Sequence, residues 1–397
     1  MSQSLIIVGA GLAGWTTARE FRKLNTTTPV LLVTADSGDF YAKPSLSNAF
    51  AQGRLPAQLV STPAAKMAET LNVTLLAQTR VEAIDTAAQT MSVRSASGLQ
   101  TLAYRDLVLA TGAQPIRVPV KGDAADAVLS INSLDDFAAF HARLQAAAVT
   151  AAAPLREVLI MGAGLIGCEF ANDLAQAGVR VRVVDPGPRP LAALLPTKAS
   201  AALQVALQAL GVQFDFGCTV RAVDHAAGRL QVTLATGQTM PADAVLSAVG
   251  LRADTALAQA SGLQVDRAIV VNTHLQTSAP HVYALGDSAQ YASAPSLLSA
   301  HGSTLPYVMP IMSAARALAA TLAGTPTALA FALMPVSVKT PALPLVVAAA
   351  QAGLPGRWAA VGEGTWHWLD DADQPRGFVL AGAQTAQRMV QTKLLKP

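Results

Sequence analysis

Two short glycine-rich turns constrain the fold of this chain more than any other feature. They are Gly9-Ala-Gly-Leu-Ala-Gly14 and Gly162-Ala-Gly-Leu-Ile-Gly167. Each follows a short apolar run and precedes a stretch of helical pattern, which is the setting that a dinucleotide-binding turn requires. In such a turn the first glycine permits a tight bend, the second lets a pyrophosphate approach the backbone, and the third lets the helix pack on its strand. The chain is therefore expected to bind two dinucleotides.

Strand and helix patterns alternate around both turns in the same order. We predict two strands and one helix around each, at Leu5–Val8, Trp15–Leu24 and Val30–Val33, and again at Val158–Met161, Cys168–Ala177 and Val181–Val184. This alternation predicts parallel sheets with right-handed crossovers. The expected fold class is α/β, with two Rossmann-like dinucleotide-binding domains.

The length of 397 residues is enough for two or three domains. A helix is predicted at Asp135–Leu144, and the alanine-rich Ala146–Pro154 is expected to lead into the second domain. From about Pro306 prolines and then three tryptophans become frequent, which predicts a small α+β C-terminal domain. The expected division is 1–115 with 246–320 for the first domain, 116–245 for the second and 321–397 for the third.

Composition excludes several classes of protein. The chain is 52% hydrophobic, but no apolar run reaches the roughly 18 to 20 residues that span a bilayer. Cys168 and Cys218 lack the spacing of a zinc site or a disulfide framework, so no metal is expected and a reducing cytoplasm fits. The net charge is +3, and the basic residues form no run of the kind that binds nucleic acid. At most, this charge favours an acidic partner.

An acidic residue follows the second turn at the place where a carboxylate accepts the ribose hydroxyls. Asp185 ends the next predicted strand, at nearly the expected spacing of about 20 residues. It favours NADH over NADPH. Arg180 and Arg182 lie nearby and could instead bind a 2′-phosphate, although both precede the strand end.

The first turn lacks an acid at the equivalent place. The position that corresponds to Asp185 falls at Leu32, inside the next predicted strand. The stretch Asn25–Pro29 lengthens the preceding connection, so Thr34 is the displaced equivalent and Asp36 a possible substitute.

Three further segments end apolar runs in small residues, namely Leu107–Ala113, Val245–Gly250 and Thr277–Asp287. The chain can pass close to a nucleotide at Thr111 and Gly112 and again at Gly250, and Asp287 can hydrogen-bond a ribityl chain. In this order around the two turns, the chain resembles the FAD-dependent pyridine nucleotide oxidoreductases of glutathione-reductase-like fold along essentially its whole length.

A narrower resemblance is carried by Gly162–Leu174, Tyr307-Val-Met-Pro310 and Val338-Lys-Thr-Pro341, which look like the bacterial rubredoxin reductases. The resemblance and the first turn together predict FAD ligands at Gly9, Gly11, Leu12, Ala13, Gly14, Thr34, Ala35, Lys43, Val81, Thr111, Gly112, Glu169, Asp287, Val308 and Lys339. The second turn predicts NAD ligands at Gly162, Gly164, Leu165, Ile166, Gly167, Asp185 and Gly250.

The resemblance implies that a hydride passes from the nicotinamide to flavin N5 and that single electrons then pass to an iron protein. Lys43 and Glu169 are expected to pair beside N5 and to take part in catalysis. The alternative is a solvated lysine and a glutamate that only complements a helix dipole.

A helix is predicted to begin near Tyr307 or Val308, with Pro310 tolerated in its first turn. Its positive end would face the flavin pyrimidine ring and stabilise negative charge there. Lys339 is expected to add a catalytic positive charge at the same place. The alternative for Lys339 is a surface position in a proline-rich loop.

No cysteine occurs in Phe40–Phe50, where disulfide reductases carry a cysteine pair and flavin peroxidases a single cysteine. Cys168 lies at a helix start that could lower its pKa, but a small buried packing residue is the preferred interpretation. The flavin is therefore expected to reduce its partner directly.

The leading hypothesis is an FAD-dependent NADH:rubredoxin oxidoreductase, a monomer or homodimer whose partner is rubredoxin or a similar small acidic iron protein. Three alternatives remain: a ferredoxin reductase, a flavorubredoxin reductase, and a redox-controlled binding protein resembling apoptosis-inducing factor.

Overall fold

The computed structural model describes residues 4–150, 156–292, 304–331, 333–350 and 353–395. Two similar α/β units and a smaller C-terminal unit are present. Within the described residues no helix is both long enough and apolar enough to cross a bilayer.

The strands and helices follow one another in four stretches of chain. The first contains β1 (Ser4–Val8), α1 (Leu12–Leu24), β2 (Val30–Val33), β3 (Phe40–Tyr41), β4 (Val60–Thr62), α2 (Ala64–Leu71), β5 (Thr74–Leu76), β6 (Arg80–Asp85), β7 (Thr90–Ser95), β8 (Gly98–Leu109) and β9 (Ala113–Pro115). The second contains β10 (Val128–Leu129), α3 (Leu134–Thr150), β11 (Glu157–Met161), α4 (Leu165–Gln176), β12 (Arg180–Asp185), α5 (Thr197–Ala209), β13 (Gln213–Phe216), β14 (Val220–Ala226), β15 (Arg229–Leu234), β16 (Thr239–Ala242) and β17 (Ala244–Ser247). The third contains β18 (Leu251–Ala253), α6 (Ala256–Ala260), β19 (Ile269–Val271), β20 (Val282–Ala284), β21 (Ala289–Tyr291) and α7 (Val308–Leu322). The fourth contains β22 (Val336–Val338), β23 (Leu345–Ala348), β24 (Arg357–Gly362), β25 (Thr365–Leu369), β26 (Pro375–Ala381) and α8 (Arg388–Leu394).

Short 3₁₀ helices occupy several of the connections. Their bounds are Lys43–Asn48, Pro56–Leu59, Ala125–Ala127, Gly286–Ser288 and Gly382–Gln387.

Each α/β unit is built on a parallel sheet beside a small antiparallel one. The first parallel sheet has the strand order β5-β2-β1-β8-β20, and β8 continues into an antiparallel meander with β7 and β6. The second has the order β10-β17-β11-β12-β13, beside the antiparallel β14-β15-β16. The two predicted Rossmann-like units are therefore confirmed.

Both helices that follow the glycine turns begin earlier than the sequence pattern suggested. Helix α1 begins at Leu12 and α4 at Leu165, because the second glycine of each turn, Gly11 or Gly164, is the N-cap residue. The third glycine thus lies inside the first helical turn. This arrangement brings the first N–H groups of the helix to the mouth of the turn, where they can bind phosphate.

Two of the predicted domain boundaries cut through elements. The boundary between 245 and 246 falls inside β17, which pairs along its length with β10 and β11 in the second sheet. The boundary between 320 and 321 falls inside α7, which packs on α1, with the Thr16 hydroxyl 3.7 Å from the Met312 sulfur. We therefore place these two domain boundaries at the ends of the elements, after Ser247 and after Leu322.

The connection into the second unit is more helical than the sequence suggested. Helix α3 continues past Leu144 into the alanine-rich stretch and ends at Thr150. The rest of that stretch, 151–154, lies outside the described residues.

The C-terminal unit is an antiparallel sheet with a short terminal helix, as the α+β prediction required. Its strand order is β22-β23-β26-β25-β24. Val347 and Val379 are 3% and 0% exposed and belong to the same apolar cluster as Leu191 and Leu195 of the second unit. The C-terminal sheet therefore packs against the second α/β unit.

Candidate dinucleotide sites and the charged cluster between them

The residues predicted to bind the first dinucleotide collect at one edge of the first parallel sheet. Gly9 follows β1, Thr34 follows β2, Thr111 follows β8, and Asp287 lies shortly after β20. Because these four strands run parallel, their carboxyl ends meet at the same edge, which is where open α/β sheets bind ligands. The tertiary structure thus brings together residues that lie far apart in the chain.

The glycines of the first turn divide into close-packed and open positions. A Cβ atom on Gly9 would lie 2.3 Å from the Ala110 carbonyl oxygen, and one on Gly14 would lie 1.9 Å from the Gly9 carbonyl oxygen. A Cβ atom on Gly11 would meet no heavy atom within 4 Å. The free space therefore lies at the second glycine, at the helix start, and the turn fits a bound pyrophosphate.

The end of β2 has a hydrogen-bonded turn in place of the usual acid. The Thr34 hydroxyl donates to Asp36 Oδ1 at 2.6 Å, and the Gly38 N–H donates to the same oxygen at 2.9 Å. Ala35, between the two side chains, is exposed. The carbonyl of Thr34 accepts the N–H of Thr79 at 2.8 Å, which brings the strand that contains Val81 next to this turn.

The second turn repeats the geometry of the first. A Cβ atom on Gly162 would lie 2.7 Å from the Ala248 carbonyl oxygen, and one on Gly167 would lie 1.9 Å from the Gly162 carbonyl oxygen. Gly164 again has no heavy atom within 4 Å of a Cβ position and is exposed. Gly250, which follows β17, lies at the same edge of the second sheet.

Asp185 is held at the second turn by backbone donors. Its Oδ2 accepts the N–H of Ala163 at 2.6 Å, and its Oδ1 accepts the N–H of Gly187 at 2.6 Å. A carboxylate has about four lone-pair sites, so acceptor capacity remains for ribose hydroxyls.

The two arginines that could have bound a 2′-phosphate are each paired with a carboxylate. Arg180 lies 3.3 Å from Glu157, and Arg182 lies 2.9 Å from Asp215 across neighbouring strands. Their charge is therefore already compensated within the second unit, which fits NADH better than NADPH.

Lys43 and Asp287 are close enough for the charge of each to shift the pKa of the other. Lys43 begins a 3₁₀ helix and part of its surface is exposed to solvent. Protein nevertheless surrounds it on most sides, and this desolvation lowers the pKa of Lys43, whereas the negative charge of Asp287 acts to raise it. Burial raises the pKa of Asp287, and Lys43 opposes that shift. The Tyr291 hydroxyl accepts the N–H of Gly286 at 2.8 Å and fixes the turn that carries Asp287. A lysine that is accessible to solvent but has protein on most sides is typical of the wall of a cleft.

Glu169 is paired with a different lysine from the one predicted. It is 4% exposed, and its Oε2 accepts hydrogen bonds from the Lys339 ammonium and, at 2.7 Å, from the Ser47 hydroxyl. Lys43 Nζ instead donates to Asn132 Oδ1 at 3.3 Å. The predicted Lys43–Glu169 pair is wrong, because Lys43 begins its 3₁₀ helix while Ser47, one turn later, is the residue that faces Glu169.

Lys339 links all three parts of the molecule. Besides Glu169, its ammonium donates to the Ser47 hydroxyl at 2.6 Å and to the Pro44 carbonyl at 2.7 Å. Among the hydrogen bonds of the described residues, those of Lys339 go to α4 and to the 3₁₀ helix Lys43–Asn48, and none goes to the first turn of α7. Lys339 is therefore ion-paired with Glu169, and the positive charge expected of it near the start of α7 stays a prediction.

Helix α7 begins where the sequence predicted. Tyr307 is its N-cap residue, Val308 is its first residue and is 42% exposed, and Pro310 lies buried in the first turn. The first turn carries no acidic residue, so its positive end is not neutralised from within the helix.

Cys168 is a packing residue, as preferred on sequence grounds. It is 0% exposed, and burial raises the pKa of its thiol to about 12. Neither Cys168 nor Cys218 is in a disulfide.

Sequence reasoning missed several polar residues that organise the site. These are Ser47, Asn132, Asn172, Asp173 and Tyr291. Asn172 and Asp173 follow Glu169 at helical spacing on an otherwise apolar helix, a signal that could have identified them. Ser47 and Asn132 carry no local signal, since their partners Glu169 and Lys43 are distant in the chain.

Two parallel sheets, each with a phosphate-binding turn and a ligand-binding edge, define a protein that holds two dinucleotides. Residues 3–317 match the family model described as pyridine nucleotide-disulphide oxidoreductase, and residues 328–395 match a rubredoxin binding C-terminal domain. The chain belongs to the pyridine nucleotide-disulphide oxidoreductase family. The predicted fold, the oxidoreductase class and the use of FAD with a pyridine nucleotide are therefore confirmed.

Close relatives have names that specify electron acceptors. A rubredoxin-NAD(+) reductase of Alcanivorax borkumensis is 43% identical over 91% of this chain and 89% of its own length. A nitric oxide reductase FlRd-NAD(+) reductase of Aeromonas salmonicida is 39% identical over 90% of this chain and 87% of its own length. Among solved structures, the covalent putidaredoxin reductase-putidaredoxin complex superposes with a TM-score of 0.86 at 25% identity, covering 99% of this chain and 93% of that one.

Proposed function

We propose that this protein is an NADH:rubredoxin oxidoreductase that uses FAD. The first turn, with Thr34, Lys43 and Asp287, holds the FAD, and the second turn, with Asp185, holds the NADH. Bound FAD supplies the conversion from two-electron to one-electron chemistry. In the balanced reaction one NADH becomes NAD⁺ and a proton, and two rubredoxin irons each gain one electron.

The observation that carries this proposal is the connection of the C-terminal unit to the charged cluster. Lys339 directly follows the first strand of the unit that matches the rubredoxin binding domain. Its side chain bonds to Glu169 on the helix of the NADH turn and to Ser47 beside the FAD site. The C-terminal unit, which is expected to bind the acceptor, therefore contributes a side chain to the charged cluster between the two proposed nucleotide sites.

Lys43, Glu169 and Lys339 supply positioning and charge in this proposal. Glu169 and Lys339 neutralise each other, so they anchor three chain segments without adding net charge. Lys43 lies free of any carboxylate hydrogen bond among the described residues, and it is the cation available to an anionic or hydrogen-bonding edge of a ligand. The absence of a cysteine in Phe40–Phe50 supports direct electron transfer, and two free, buried cysteines fit our proposal of a cytoplasmic location.

The acceptor is tested by stopped-flow reoxidation of the NADH-reduced protein. We expect rubredoxin to reoxidise it at least tenfold faster than a [2Fe–2S] ferredoxin at equal concentration, a difference of about 1.4 kcal/mol in the transition state. Equal rates, or a faster reaction with ferredoxin, would contradict the assignment.

The relation to the FlRd-NAD(+) reductase of Aeromonas salmonicida supports a second candidate, in which the rubredoxin-like acceptor is a flavorubredoxin. Preferential reoxidation by flavorubredoxin over free rubredoxin would favour that second candidate.

A further inference from the structure

Helix α4 presents three buried polar side chains on one face. Glu169, Asn172 and Asp173 are spaced by three and four residues and are 4%, 1% and 2% exposed. Buried polar groups are costly unless they are hydrogen-bonded. Here donors from the first domain and from the C-terminal unit form hydrogen bonds with several acceptor atoms of this face. The face therefore joins the second domain to both of the others.

Asp173 holds the segment that follows the Lys43 helix. Its Oδ2 accepts the N–H of Phe50 at 3.0 Å, and its Oδ1 accepts the N–H of Ala51 at 2.8 Å. These N–H groups lie just beyond the 3₁₀ helix Lys43–Asn48. Asp173 thus fixes one end of a short segment whose other end carries Lys43.

Asn172 acts in the same way on the segment that follows Lys339. Its Oδ1 accepts the N–H of Ala342 at 3.0 Å, while Glu169 Oε1 accepts the N–H of Lys339 itself at 3.0 Å. Two side chains of one helix therefore hold both ends of segment 339–342.

Helix α4 begins at Leu165, directly after its N-cap residue Gly164 in the turn proposed to bind the NADH pyrophosphate. A helix of 12 residues is a rigid rod about 18 Å long. We propose that Asp173 and Asn172 are positioning residues for hydride transfer, because they fix the Lys43 and Lys339 segments relative to the helix that carries the NADH turn. This inference rests on the proposed function, since it assumes FAD at the first turn and NADH at the second.

Position and charge have opposite consequences at Asp173, which makes the inference testable. Asp173→Asn removes a negative charge, and charge loss alone would favour electron gain by the flavin and speed its reduction. The asparagine also has one acceptor oxygen for two backbone N–H groups, so one of them loses its partner. Loss of position would slow reduction, because small misplacements of reacting groups are costly to rate.

The experiment measures hydride transfer alone, by stopped-flow reduction of the bound flavin with NADH. Asp173→Asn and Asn172→Ala are compared with wild type and with a matched control, Asp243→Asn. Asp243 is also a buried carboxylate of the second domain, 6% exposed. It accepts hydrogen bonds from the backbone N–H of Glu157 and from the Arg229 side chain, and within the described residues it bonds to neither lysine segment. FAD content and thermal midpoint are measured for every variant.

We expect both Asp173→Asn and Asn172→Ala to lower the limiting rate of flavin reduction about tenfold, with the NADH concentration for half-maximal rate changed less than twofold. The control should keep the wild-type rate at a similar loss of thermal midpoint. A faster or unchanged rate in Asp173→Asn, with an unchanged rate in Asn172→Ala, would overturn the inference. If Asp173→Asn fails to fold, Asn172→Ala decides the question.

Failure of this inference is distinguishable from failure of the proposed function. A wild-type protein that NADH does not reduce would refute the proposed function. A wild-type protein that NADH reduces normally, with variants that behave like it, would refute the positioning role alone.

Discussion

At the residue scale, Lys339 illustrates how one side chain can join three domains. It directly follows a strand of the C-terminal unit and bonds to Glu169 and Ser47 in the other two. Its partner Glu169 is almost fully buried, with 6% of its side chain exposed, whereas 29% of the Lys339 side chain is exposed. Removing one partner of such a pair leaves the other charge uncompensated, which costs more than the pair contributes.

Lys339→Met is expected to lower the flavin midpoint potential by on the order of 30 mV, which corresponds to about 1.4 kcal/mol for a two-electron couple. The reason is that the buried Glu169 carboxylate then faces the site without its cation. The measurement is a spectroelectrochemical titration of the bound flavin.

The double variant Glu169→Gln/Lys339→Met provides the control, since it removes both charges together. Its potential is expected to return to within about 10 mV of wild type. A double variant as low in potential as Lys339→Met would show that the ion pair is not the cause.

At the element scale, the glycines of one turn are required for different reasons: some allow close packing within the protein, and one leaves space for a ligand. Gly167 must be glycine because the helix approaches the turn so closely that a Cβ atom would lie 1.9 Å from a carbonyl oxygen. Gly164 has φ −75°, which an alanine can adopt, and open space beside it. Crowding within the protein therefore does not require a glycine at position 164, whereas the close approach of a pyrophosphate would.

This difference predicts opposite outcomes for two alanine variants. Gly164→Ala is expected to fold normally and to raise the KM for NADH about tenfold, a loss of about 1.4 kcal/mol of binding free energy. Gly167→Ala is expected to reduce the yield of folded protein and the thermal midpoint, because the helix has to move. Steady-state assays with an artificial acceptor and thermal denaturation provide the two measurements. A normal KM in Gly164→Ala would argue against a pyrophosphate at this turn.

At the scale of the whole molecule, the three domains meet on the polar face of α4, and this gives their packing a pH dependence. Burial raises the pKa of Asp173, although the backbone hydrogen bonds from Ala51 and Phe50 and the positive charge of Lys339 oppose the shift. A group whose pKa is raised in the folded state stabilises that state most at low pH. That contribution is lost as pH rises through the folded pKa.

We therefore expect the wild-type protein to lose thermal stability relative to Asp173→Asn as pH rises from about 4 to about 7, since the unfolded carboxyl titrates near pH ~3.9. The measurement is the difference in thermal midpoint between the two proteins at matched FAD content. A difference that is constant with pH would contradict the expectation.

Local pattern was sufficient for the two turns and their strands. Each rests on contacts between residues close in the chain, such as Gly9 with Gly14, and short-range periodicity records such contacts. Asp185 was likewise predictable, because its distance from the turn is set by one helix and one strand.

Tertiary structure alone decided which charges meet. Glu169 pairs with Lys339 rather than with Lys43, and the choice depends on how the C-terminal unit docks on α4. It also decided that β17 belongs wholly to the second sheet and α7 to the first domain. The sequence by itself determined two dinucleotide-binding folds, because their signals are local. The arrangement of the charged cluster depends on contacts between residues up to 295 positions apart, and short-range patterns carry no record of such contacts.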